Sequence, residues 1–114
     1  MTYELSLDTS KTQLVTVMLI GADGSRMETQ MASTLIRSQS VLPTIESLLH
    51  ANHINWDQIT QIQVAVGPGS FTGLRVGTIV GATLSLFQGI LINGNPPGTI
   101  PQLEYGADKW NLDQ

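Results

Sequence analysis

Apolar and polar residues alternate from Tyr3 to Leu7, and the alternation stops at the polar turn Asp8-Thr9-Ser10. A period of two is the mark of a strand with one buried face. Leu14 to Ile20 predicts a second strand. Ala22-Asp23-Gly24-Ser25 follows as a hairpin turn of the Asp-Gly kind, and Arg26 to Thr34 reads as a third, antiparallel strand with weaker alternation. The period then changes. Val41, Leu42, Ile45, Leu48 and Leu49 fall on one helical face, with Ser38 or Ser40 as the cap, Pro43 in the first turn and an end near Ala51 or Asn52. Ile54 to Ile59 is a connector of about one helical turn. Gln61 to Val66 is a fourth strand, a helix follows from about Thr72 to Gln88, and Ile90 to Asn93 is a short fifth strand.

Strand, strand, strand, helix, strand, helix, strand is a mixed α/β pattern. The two crossovers, through residues 38–60 and 70–89, demand parallel pairing. One lobe follows: a five-stranded mixed sheet with two main helices packed on it. Its expected extent is residues 1–93. The stretch from 94 to 114 has no period, opens with Asn95-Pro96-Pro97-Gly98, and is expected to be loosely ordered or docked as a strap.

The stretch Gly67-Pro68-Gly69-Ser70-Phe71-Thr72-Gly73 carries the most information. It is a glycine turn between a buried-type strand and a helix, with Ser70 or Thr72 as the helix cap. Gly73, Gly77 and Gly81 recur every four residues and share one side of the helix. Placed on a wheel, Val76, Ile79, Val80, Thr83, Leu84 and Phe87 form an apolar stripe, which is expected to face the sheet. The stripe of Gly73, Leu74, Gly77, Thr78, Gly81 and Ser85 is then expected to face outward. Outward glycines weaken a helix by about 1 kcal/mol each against alanine, so close packing by another helix is the expected compensation.

Charge and composition narrow the chemistry. The chain has 114 residues, no cysteine, five Lys and Arg, and a net charge of −4. Such a balance argues against direct nucleic-acid binding, which needs a concentrated basic patch. Thiolate chemistry is excluded. Val76 to Ile92 carries no charge, but Gly81, Thr83, Ser85, Gln88 and Gly89 interrupt it, so a membrane span is not expected. The glycine turn lacks the lysine of a Walker loop, and Gly67, Gly69 and Gly73 miss the dinucleotide spacing. Asp8 is a lone candidate for holding Mg²⁺ or a phosphate-bound water. His50 and His53 have no accompanying ligand set, and no serine sits in a Gly-x-Ser-x-Gly elbow. No catalytic, cofactor or metal residue is assigned. The alternative reading is a small nucleotide-binding or phosphotransfer protein using Asp8-Thr9-Ser10 and the Gly67–Ser70 turn.

Leu5-Ser6-Leu7-Asp8-Thr9-Ser10, the helix of Leu42-Pro43, Ile45 and Leu48-Leu49, and above all Val66 to Gly77 resemble the N-terminal half of the TsaB (YeaZ) family over residues 3–92. The resemblance implies a ribonuclease-H-like lobe of the actin-like ATPase superfamily. It implies a non-catalytic cytoplasmic subunit of tRNA threonylcarbamoyladenosine synthesis. Its partners would be a TsaD-like paralogue and a TsaE-like ATPase, with a homodimer when alone. The interface it implies is helical: Val41, Leu42 and Ile45 from the first helix, and Gly73, Leu74, Gly77, Thr78 and Gly81 from the second. Arg37-Ser38 stands where the family commonly has His-Ser. The family continues into a second lobe, so no interlobe nucleotide cleft is expected from this chain by itself.

Overall fold

A computed structural model of the chain describes residues 1–11, 13–32 and 38–104. Strands β1 (Tyr3–Asp8), β2 (Leu14–Gly21) and β3 (Arg26–Ala32) form the antiparallel meander. Helix α1 (Ser38–Ala51) crosses to β4 (Ile59–Val64), and α2 (Phe71–Gln88) crosses to β5 (Leu91–Ile92). The sheet order is β3-β2-β1-β4-β5, with β4 parallel to both β1 and β5. This is the mixed five-stranded lobe that the two crossovers require.

Boundaries shift in instructive ways. β4 begins at Ile59 and ends at Val64, two residues before the expected end. The turn therefore starts earlier, with Gly67 at a φ of 123° that a side chain would strain. β5 shrinks to two residues because the chain reverses at Asn93 and Asn95. The connector is a single 3₁₀ turn, Trp56–Gln58. The expected end of the third strand at Thr34, the Arg37 position and residues 105–114 lie outside the described residues, as do the side chains of Ser38 and Ser40.

The core sits on one face of the sheet. Leu5, Leu7, Val15, Val17, Leu19, Ile62, Val64 and Ile92 are buried there at alternate strand positions. α1 covers the β2–β3 side with Val41, Ile45, Leu48 and Leu49, and α2 covers β1, β4 and β5. Opposite positions such as Ser6, Thr16, Met18 and Gln63 stay half-exposed. Residues 94–104 are not loose: Gly98 N donates to Ser85 Oγ at 2.9 Å and Glu104 N donates to Val66 O at 2.7 Å.

Candidate functional site: the two faces of the second helix

α2 starts and stops as its sequence requires. Ser70 caps it, its side chain accepting from Gly73 N at 3.3 Å. Gly89 ends it in the left-handed conformation at a φ of 67°.

Its orientation about its own axis departs from the expectation for the glycine stripe, and for the apolar stripe only in part. Gly73, Leu74, Gly77, Thr78, Gly81 and Ser85 are all buried. A methyl group at Gly77 would collide with the Thr9 hydroxyl, and one at Gly81 would lie 2.5 Å from Val64 Cγ1. Thr9 Oγ1 donates to Gly73 O at 2.6 Å from the end of β1. The glycines therefore admit the sheet rather than another helix. Bulk cannot enter where the helix backbone lies this close, so size outranks hydrophobicity in choosing the inner face. The hydroxyls on this face are satisfied locally, Thr78 to Arg75 O and Ser85 to Ala82 O.

The interface residues inferred from resemblance divide accordingly. Val41, Ile45, Gly73, Leu74, Gly77, Thr78 and Gly81 are buried within the lobe, and Leu42 alone of that set is on the surface, at 36 % exposure. As folded, the seven buried residues belong to the interior of the lobe.

The outer face carries the bulk instead. Ile79, Leu86 and Phe87 are 51 %, 63 % and 80 % exposed. Val76, Val80 and Leu84, expected on the sheet-facing stripe, do pack on the core. At the N-terminal end, Phe71, Thr72, Arg75, Val76 and Ile79 line a shallow hollow of about 380 Å³. The Arg75 guanidinium lies 5.4 Å from the centre of the Phe71 ring, a cation–π distance. Large apolar side chains outside a monomer's core mark association surfaces when they are contiguous. The signal was available in the sequence: in strand–turn–helix units a glycine in the first helical turns serves close helix–strand packing.

The two loops of the phosphate alternative meet each other. Ser70 N donates to Ser10 O at 2.6 Å, and a methyl at Gly69 would lie 2.6 Å from that same oxygen. Asp8 Oδ1 accepts from Ser10 N at 2.8 Å and from Ser10 Oγ at 2.5 Å. The Ser70 N–H that an anion would use is thus engaged. His50 and His53 stand apart from any group of three metal-ligating side chains among the described residues. No helix of the described residues is long and apolar enough to cross a membrane.

Comparison with known proteins bears on the family and on the α/β fold, which is that of a single actin-like, ribonuclease-H-like lobe. The family model for TsaD, tRNA N6-adenosine threonylcarbamoyltransferase, matches residues 36–92. The tRNA threonylcarbamoyladenosine biosynthesis protein TsaB of Buchnera aphidicola subsp. Baizongia pistaciae (strain Bp) is 37 % identical over 60 residues, 53 % of this chain and 24 % of that protein. YeaZ from Pseudomonas aeruginosa superimposes with a TM-score of 0.72 at 26 % identity, covering 81 % of this chain and 42 % of that one. A second solved structure, an uncharacterized protein with similarity to peptidase YeaZ from Pseudomonas aeruginosa, gives a TM-score of 0.70 at 26 % identity and covers 81 % and 43 %. The chain thus spans less than half the length of each of these relatives.

Proposed function

The chain belongs to the family of the threonylcarbamoyltransferase model, on its TsaB/YeaZ side, and from that premise we propose that it is a non-catalytic interaction subunit in tRNA threonylcarbamoyladenosine biosynthesis. It binds a TsaD-like paralogue, or a second copy of itself when alone, through the outer face of α2 and the exposed Leu42 of α1. A TsaE-like ATPase joins through the same assembly. The observation that carries this reading is the exposed row Ile79, Leu86 and Phe87 on a helix whose inner face is already fully used. The net charge of −4 supports contact with tRNA through the partner rather than directly. The setting is the cytoplasm, where the modification of tRNA takes place. The interface lies outside the glycine stripe, so it is tested with Ile79→Asp and Phe87→Lys. Capture by an immobilised TsaD-like paralogue, and self-association followed by light scattering, should each weaken at least tenfold while circular dichroism stays unchanged. Undiminished capture by both folded variants would overturn the assignment of this face.

A further inference from the structure

β5 holds only two residues, so β4 would otherwise present much of its outer edge as a row of open backbone donors and acceptors. Such edges are templates for strand addition by other chains, and proteins cover or shorten them. Here the segment after β5 occupies them one group at a time. Asn93 N donates to Ile62 O at 2.9 Å. The Asn93 side chain then takes the place of a strand: Val64 N donates to its Oδ1 at 2.8 Å, and its Nδ2 donates to Val64 O at 3.1 Å. An asparagine suits the post twice, because its amide carries both a donor and an acceptor and because it tolerates the φ of 49° at which the chain turns. Asn95 closes that turn, its N–H donating to Ile92 O at 2.8 Å and its C=O accepting from Ile92 N at 3.0 Å. The chain then reaches α2, where Gly98 N donates to Oγ of the buried Ser85. It returns to the end of β4 with Glu104 N on Val66 O.

We infer that residues 91–104 are an edge guard that closes β4 to strand addition, a second copy of this chain included. This goes beyond the partner reading and does not depend on it. The test uses the full chain. Asn93→Gly keeps the left-handed backbone available and deletes the amide. The Val64 amide should then exchange with solvent at least tenfold faster, while amides of the β1–β2 pair such as Val17 keep their protection. Light scattering should show species larger than those of the unsubstituted chain at the same concentration. Ser85→Ala removes the Gly98 acceptor and leaves β5 untouched; the same two measurements, read at the Gly98 and Glu104 amides, should change in the same direction, and they carry the test if Asn93→Gly does not fold. Unchanged protection at Val64, or lost protection with an unchanged size distribution, overturns the guard. So does exchange of the Gly98 and Glu104 amides at unstructured rates in the unsubstituted chain. Failure of the α2 partner reading is seen separately, as undiminished capture by the Ile79 and Phe87 variants.

Discussion

The inner and outer faces of α2 belong to one helix and obey different rules. The inner face is built of glycines and short hydroxyl residues, and it is buried because the backbone itself approaches Thr9 and Val64. The outer face holds Ile79, Leu86 and Phe87, and these remain largely in solvent. Apolar bulk normally marks the buried side of a helix. Here the distance between helix and sheet is set first, by the short connection through Gly67, Pro68, Gly69 and Ser70 and by Ser10 O gripping Ser70 N. At that distance only glycine fits at positions 77 and 81. The remaining bulk is displaced outward, where burial awaits another surface. The inner face therefore answers for stability, and the outer face for association.

The contrast can be broken most directly from the inside. Gly77→Leu drives a side chain into Thr9 and should cost about 3 kcal/mol or more, overpacking having nowhere to relax. Urea titration measures it, and association should change only as folding is lost. A variant as stable as the parent would mean that the glycine face is not pressed on β1. Thr9→Val keeps the shape and removes the hydroxyl that donates to Gly73 O; about 1–2 kcal/mol should be lost in the same titration. Ser70→Ala deletes the cap on Gly73 N and should cost about 1 kcal/mol, read as a lowered melting temperature. Phe87→Lys should lie within about 0.5 kcal/mol of the parent, since the ring is mostly in water and a cation near the helix C-terminus meets a favourable dipole. The same variant should show the largest loss of partner capture of the four when each is compared at equal folded concentration. A stability loss above that of Ser70→Ala would show that the ring packs on the lobe.

Much of the fold was legible from pattern. Alternation located β1 and β2, the Asp-Gly turn joined β2 to β3, and the 3.6-residue period identified α1 with Val41, Ile45, Leu48 and Leu49 on its buried side, while Leu42, read on the same face, is exposed. Ser70 and Gly89 marked the ends of α2 because caps act on the nearest backbone groups. The strap was less legible. Asn93 holds it through a pair of hydrogen bonds to Val64, and Gly98 and Glu104 through one each to Ser85 and Val66; isolated contacts of this kind leave no period to detect.

What the chain's order of residues determined by itself was the set of elements and the parallel crossovers, since these follow from local propensity, capping and period. The face that α2 turns to the sheet was decided by tertiary structure. A wheel ranks positions by hydrophobicity, but the helix-to-sheet distance is a property of the closed turn and of Thr9, which sits 64 residues before its hydrogen-bond partner Gly73. Once that distance is small, excluded volume outweighs the transfer energy of Ile79 and Phe87, and these two members of the apolar stripe are left on the outside.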